Sequence, residues 1–322
     1  MKRIFNNKYI ALLLFLFVLA SVVSGCTESL VNKKESDLTE MELFGKVKSY
    51  RESQYYAENK FGKVEKGDRV LWSSTYHYIF NDKGFLEEKI QYEYVDMGPL
   101  ASIASKVVYK YDESFNRIEE VEYDGDGGLR WKELCKYDNR GNLIERSKYM
   151  SDGSLDTKSV YKYDDKNNQI EFNRFNADGK LQFKNINKFD SKGNEVERST
   201  YGLSGNISGR YTSSFDNEGN KIEYLSYNSN GNLKNKTTYE YDGNSKTIKS
   251  FNSDGTPEKK EVFKYDDKGN EIEYAVYEQR DHFEATYYSE YLFDEVGNWT
   301  KKTEIGAGEA QIIWEREIEY FD

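Results

Sequence analysis

The chain has 322 residues, a net charge of −11 and 32% charged residues, so it lacks the basic excess that nucleic-acid binding requires. Hydrophobic residues make up only 37% and the mean hydropathy is −0.89, values that approach those of disordered chains. The 28 Tyr, 18 Phe and 4 Trp argue against disorder, because disordered chains are poor in aromatic residues.

The N-terminal segment, residues 1–25, is predicted to be a lipoprotein signal peptide. Lys2 and Arg3 form its basic start, an apolar run covers 9–23, and the sequence Val23-Ser24-Gly25-Cys26 ends it. This ending resembles the lipobox of bacterial lipoproteins, which implies cleavage before Cys26 and a diacylglycerol on its thiol. The alternative is an ordinary secretory signal or an N-terminal anchor helix.

Residues 26–44 are predicted to be the lipidated N-terminus and a polar tether. The acyl chains of the diacylglycerol and an added palmitate would anchor the protein in the cell envelope, in the outer membrane or at the cell surface. Within this tether, Asp37 and Glu40 can cap one short helical turn before Phe44. Cys135 would be the one unmodified cysteine of the mature chain, so no internal disulfide is expected.

A 26-residue repeat runs through the predicted domain, residues 45–322. Aromatic–Asp pairs recur at this step from Tyr111-Asp112 to Tyr241-Asp242, and less evenly at Tyr265-Asp266 and Phe293-Asp294. A fixed period of 20–50 residues indicates a chain built from one small supersecondary unit. Each unit has two halves, because an aromatic residue is followed four residues later by Gly both at Tyr137 and at Tyr149.

Each half predicts one strand and one turn, and hence an all-β fold. Asp-Gly and Asn-Gly pairs supply turns with a left-handed residue, and about seven to nine residues lie between turns. We expect a long antiparallel β-meander of about eighteen to twenty strands from Lys46 to Tyr320, forming a curved or spiralling single sheet. Glycines 153, 179 and 205 are expected to have positive φ.

The side-chain pattern leaves one question about the faces of this sheet. Ile144 and its repeat equivalents form an apolar column, and Glu145 starts a neighbouring acidic column. Tyr149 lies an odd number of residues from Ile144, so strict alternation places it with the acids. Either β-bulges change the alternation, or the rings lie on the more polar face.

The repeated signature Tyr-Asp-x-x-Gly-Asn-x-Ile-Glu resembles the Rhs/YD-repeat family. It matches at 137–145 and at 265–273, and the resemblance covers roughly 76–300. The resemblance implies a spiralling antiparallel sheet that can wrap into a shell. The sequence also looks like small lipobox-bearing repeat proteins of Bacteroidetes. We expect neither the proteolytic core motif nor the toxin domain of the large family members, and therefore no toxin encapsulation.

No residue pattern indicates an enzyme, a cofactor or a metal site. His77 and His282 are far apart in sequence, no His/Cys cluster has metal-ligand spacing, and the paired carboxylates lie at predicted turns. Two non-catalytic functions stay open: binding of a glycan or an envelope protein, and a passive structural or shielding role. The candidate ligand contacts are the repeated second-half rings Tyr149, Phe175, Tyr201 and Tyr227.

Overall fold

The computed structural model describes residues 35–61, 63–70, 75–93, 102–278, 282–306 and 308–322. A short helix, α1 (Asp37–Glu40), precedes the strands, and Ser36 caps it with its side-chain oxygen. The strands in chain order are β1 (Val47–Lys60), β2 (Lys63–Arg69), β3 (Thr75–Phe80), β4 (Leu86–Tyr92), β5 (Ile103–Tyr111), β6 (Arg117–Asp124), β7 (Leu129–Tyr137), β8 (Leu143–Met150), β9 (Leu155–Tyr163), β10 (Gln169–Asn176), β11 (Leu181–Phe189), β12 (Glu195–Tyr201), β13 (Ile207–Phe215), β14 (Lys221–Asn228), β15 (Leu233–Asp242), β16 (Ser245–Asn252), β17 (Pro257–Tyr265), β18 (Glu271–Glu278), β19 (His282–Phe293), β20 (Trp299–Gly306) and β21 (Glu309–Tyr320).

The strands of the described residues form one closed antiparallel barrel, so the predicted curved or spiralling single sheet is wrong. From β3 to β21 each strand pairs with its sequence neighbours. The N-terminal strand β1 then pairs with β21 along one edge and with β3 along the other, which completes a ring of 20 strands. Strand β2 lies outside this ring and pairs with the far half of β1.

The barrel closes for a physical reason that cannot be read from the repeat. An open meander leaves the backbone N–H and C=O groups of its first and last strands unpaired, and such edges favour aggregation. Strand β1 precedes the first repeat and has 14 residues, enough to cover β21 from Val47 to Tyr56 and β3 from Ser49 to Glu52. Strand β1, which lies outside the repeat, therefore pairs with both ends of the meander.

We call the aromatic–Asp turns the YD turns. One hydrogen-bond pattern recurs in those at Asp112, Asp138, Asp164, Asp190, Asp216 and Asp266. In the turn at Asp138, Oδ1 accepts bonds from the N–H groups of Arg140 and Asn142, each at 2.9 Å. Oδ2 accepts a bond from the side chain of Asn142 at 3.0 Å. The backbone closes the same turn, since Gly141 N–H donates to the Asp138 carbonyl. The Asp and the Asn four residues after it therefore close one turn through their hydrogen bonds.

Several tyrosines of the repeat tie their turns to the strand before them. Tyr137 donates its hydroxyl proton to the carbonyl of Arg117, and Tyr163 donates to that of Leu143, both at 2.9 Å. Tyr241 makes the same bond to the residue 20 positions earlier. Each bond joins the end of one strand to the start of its neighbour, so all the YD turns lie on one rim of the barrel.

The turn glycines have the predicted conformation. Gly153, Gly179 and Gly205 have φ values of 81°, 75° and 74°, which confirms the expected left-handed backbone. Two YD turns use other residues at the equivalent position, Phe115 at φ 60° and Asn167 at φ 66°. The glycine of the repeat is therefore the low-strain solution at this position, and Asn tolerates the same region better than most residues.

Residues 36–46, part of which was assigned to the tether, pack onto the YD rim. Leu38 and Leu43 join a buried cluster with Val47, Tyr50 and Phe80. Few other large side chains are so completely enclosed, because the barrel is a single layer of strands. No helix among the described residues is long and apolar enough to cross a membrane.

Residues 36–46 also form hydrogen bonds to strands on both sides of β1, the strand at which the barrel closes. Asp37 accepts bonds from the N–H of Leu86, the hydroxyl of Tyr111 and the guanidinium of Arg117. On the other side of β1, Phe44 and Asn298 exchange two hydrogen bonds of 2.8 Å. The chain thereby connects β4–β6 to the β19–β20 turn across the strand that closes the ring.

Closure predicts a crosslink between the first and last strands. Ser53 and Glu315 are direct partners across the β1–β21 seam. In a Cys135→Ser background, the pair Ser53→Cys and Glu315→Cys should form an intramolecular disulfide on mild oxidation, because paired strands hold Cα atoms within disulfide reach. Non-reducing peptide mass spectrometry would detect it. The control pair, Ser53→Cys with Ser199→Cys, spans the barrel and should stay reduced; equal behaviour of both pairs would contradict closure.

The YD turns predict a loss of stability in acid. Hydrogen bonds from the Asn168 and Asn194 side chains, with backbone N–H bonds, lower the pKa of Asp164 and Asp190. Their stabilising effect is therefore complete above the unfolded pKa of about 4 and is lost as the pH falls through the lower folded value.

Asp164→Asn should flatten the dependence of unfolding free energy on pH between about 5 and 2, measured by denaturant titration. Asp165→Asn removes the same charge from the next position of that turn and leaves the hydrogen-bonding carboxylate in place. Identical acid profiles for the two variants would show that the turn hydrogen bonds do not couple folding to protonation.

Candidate functional site

The two faces of the barrel wall carry different side chains. One, which we call the charged face, is defined by Glu145, Ser147 and Tyr149 of β8 and their repeat equivalents. The residues between them, such as Arg146, lie on the other side of the wall, together with Tyr161 of β9; we call this side the aromatic face. The register settles the alternation question: Lys136 pairs with Glu145 and Lys132 with Tyr149, so the ring shares the face of the acid. The bulge of β8 lies at Ile144, before this segment.

The aromatic face contains rings that pack against one another across strands. The ring centroids of Tyr161 and Phe172 are 5.2 Å apart, and those of Phe172 and Phe183 are 6.1 Å apart. Similar pairs form between Tyr211 and Tyr224 and between Phe263 and Tyr274. These contacts act as cross-strand packing in a wall that has no second layer.

Neighbouring side chains crowd one another on the aromatic face. Burial raises the pKa of Tyr109, Glu120 and Tyr161 on this face. The cluster around α1 also packs on it, through Tyr50 and Phe80.

A cavity of about 400 Å³ opens on the aromatic face between β11 and β14. Phe183, Tyr211 and Tyr224 line it, together with polar side chains that include Arg198 and Asn185. The Oδ1 atom of Asn185 is buried without a hydrogen-bond partner. This cavity is a second accessible surface with aromatic and polar groups, on the side opposite the charged face.

The charged face carries a regular lattice of ion pairs. Glu145 contacts Lys136 at 2.9 Å and Lys158 at 2.7 Å, so one carboxylate is shared by two bases on the flanking strands. The hydrogen bonds from Lys158 and Lys136 lower the pKa of Glu145. The same arrangement recurs at Glu119, Glu171 and Glu197.

The four predicted ligand contacts lie on this charged face. Tyr149, Phe175, Tyr201 and Tyr227 occupy equivalent positions on β8, β10, β12 and β14, and each is half-buried. One strand lies between successive rings, so the row repeats at about 10 Å. Each ring pairs on its following strand with an aliphatic residue, as Tyr149 does with Leu155.

Each ring also has a basic partner that the repeat alone did not predict. Register places Lys158 opposite Phe175, Lys184 opposite Tyr201 and Arg210 opposite Tyr227. The guanidinium carbon of Arg210 lies 4.5 Å from the centroid of the Tyr227 ring. The signal was present in the sequence, because a base precedes each of these rings by 17 residues, but its meaning depends on the register between strands.

The other residues considered from the sequence do not form a common site. Cys26 lies outside the described residues. Cys135 is a half-buried free thiol whose pKa is raised by burial, and it lies on the aromatic face. Burial also lowers the pKa of His77, whereas His282 is exposed at the start of β19. The described residues contain no group of three or more His, Cys, Asp or Glu side chains arranged to hold a metal ion.

Comparison with known proteins gives structural neighbours only. No protein-family model and no curated protein matches the chain. A porin-like protein from Bacteroides uniformis aligns with 85% of this chain and 96% of its own at 11% identity and a TM-score of 0.36. A TcdB2–TccC3–TEV chain aligns with 80% of this chain and 18% of its own, at 10% identity and a TM-score of 0.28. A Bacteroides fragilis protein of unknown function aligns over 40% of this chain and 93% of its own, at 16% identity and a TM-score of 0.27. These scores assign neither a family nor a function.

Proposed function

We propose that this protein is a lipid-anchored protein of the cell envelope whose barrel binds an extended glycan without turning it over. The proposal combines the lipobox ending at Cys26 with the charged face of the barrel. The alternative ligand is an envelope protein bound along the same surface. The proposal includes a scaffold that resembles the Rhs/YD repeat, but not the toxin function of that family.

The observation that carries the proposal is the row of equivalent rings on the charged face. Phe175, Tyr201 and Tyr227 repeat at a two-strand step and remain partly accessible. Aromatic rings provide flat apolar surfaces on which sugars can stack, with a polar tip in the case of Tyr. A polymer contacting several rings at once gains affinity through the effective concentration of the later contacts, even if each contact is weak.

A passive structural role is the competing function, and one observation favours it. Each ring is half-buried and has a basic residue on one side and an aliphatic residue on the other, so part of its surface already contributes to the wall. In this case the rings stabilise strand pairing and bind nothing. Binding and stability measurements on the same variants separate the two functions.

The ring row predicts graded loss of glycan binding. Tyr201→Ala alone should weaken binding by roughly tenfold or less, and Phe175→Ala, Tyr201→Ala and Tyr227→Ala together should weaken it far more than any one. A screen against soluble envelope polysaccharides followed by calorimetry would measure this. Tyr224→Ala, at the cavity on the aromatic face, is the control and should bind normally. If no glycan or envelope protein binds and the triple variant loses only thermal stability, the passive role is correct.

The lipobox predicts that Cys26 carries the anchor. Cys26→Ser should abolish incorporation of labelled fatty acid and leave an unprocessed or released protein, because serine has no thiol for the lipid. Fractionation of cells and mass spectrometry of the N-terminal peptide would test this. Cys135→Ser is the matched control and should label as the wild type does. An unmodified Cys26 in the mature wild-type protein would refute the anchor.

A further inference from the structure

We infer that the charged face binds an acidic polysaccharide that carries about one anionic group per two sugar units. This inference rests on the proposed glycan-binding function and assigns the chemical class of the ligand. It follows from the bases beside the rings and from the accessibility of the charged groups.

The ring row is also a row of bases. Lys158, Lys184 and Arg210 lie directly across from Phe175, Tyr201 and Tyr227. The pattern continues beyond these three, since Lys260 lies across from Tyr277 with its Nζ 4.9 Å from the ring centroid. Each repeat therefore offers one flat apolar surface and one positive charge side by side, at the same step of about 10 Å.

The ion-pair lattice leaves positive charge accessible. From β5 to β13 each of the four glutamates contacts two bases, so the lattice has eight bases and four acids, an excess of four positive charges. The glutamate side chains are only 14–21% exposed, whereas the bases are 29–68% exposed. The protein as a whole has a net charge of −11, so this local excess runs against its overall sign.

A neutral glycan would contact the rings but would not use the excess positive charge of the bases beside them. A sugar stacked on Tyr201 that carries a carboxylate on the next unit would place that charge near Lys184. The following repeat would offer the same pair again about 10 Å further on, which is roughly the length of two sugar units. Charge complementarity of this kind also disfavours neutral polymers and accelerates encounter with acidic ones.

Binding of defined oligosaccharides to the full-length protein in detergent tests the inference. The acidic probe is a hyaluronan oligosaccharide, with one carboxylate per disaccharide, and the neutral probe is a chitin oligosaccharide of equal length. We expect hyaluronan to bind at least about tenfold more tightly than chitin, and its affinity to fall as the salt concentration rises.

Two triple variants locate the contact. Lys158→Gln, Lys184→Gln and Arg210→Gln together should weaken hyaluronan binding by about tenfold or more and leave chitin binding unchanged. The control variant, with Lys136→Gln, Lys162→Gln and Lys188→Gln, removes the other base from the same three glutamates but none that is paired with a ring. It should retain most of the binding, and thermal melts should show that both variants fold.

Each other result is decisive. Equal binding of hyaluronan and chitin overturns the inference and leaves the proposed glycan binding in place. Binding of neither probe overturns the inference and counts against the proposed function as well. Equal weakening in the two triple variants shows attraction to diffuse positive charge, which rejects the paired ring-and-base site.

Discussion

The YD turn is the interaction on which the rest of this structure depends. One carboxylate accepts bonds from two backbone N–H groups and one amide side chain, and the preceding tyrosine fixes the turn to the neighbouring strand. A wall one layer thick has no second sheet to enforce its register. A slip of one residue would exchange the two faces of every strand. Because such carboxylate-bonded turns recur at most of the two-strand steps, the register is set again along the sheet.

This local control explains how a sequence with so few apolar residues can form an ordered fold. Glutamates held between two bases cover the small side chains of the charged face, and stacked rings cover those of the aromatic face. Individual exposed ion pairs stabilise proteins little, but here the geometry repeats and the carboxylates are largely enclosed. Order comes from many equivalent modest contacts, together with the hydrophobic cluster at α1.

The sequence predicted what the repeat encodes and failed where the repeat ends. Turn positions, the left-handed glycines and strand pairing between neighbours all follow from spacing within 26 residues. Closure depends on β1, which has no repeat signature, and on pairs such as Val47 with Tyr320 that are separated by almost the whole chain. The site was found in part: Tyr201 could be selected from its period, but Lys184 could be assigned to it only after the register was known.

The way in which β1 closes the ring has an evolutionary consequence. An antiparallel ring needs an even number of strands, and each 26-residue unit contributes two. Gain or loss of one unit by unequal recombination would therefore keep the parity and leave β1, α1 and their partners untouched. The circumference would change by about 10 Å per event. Related genes can thus encode barrels of different diameter with the same seam, and the number of ring-and-base pairs would vary with the diameter.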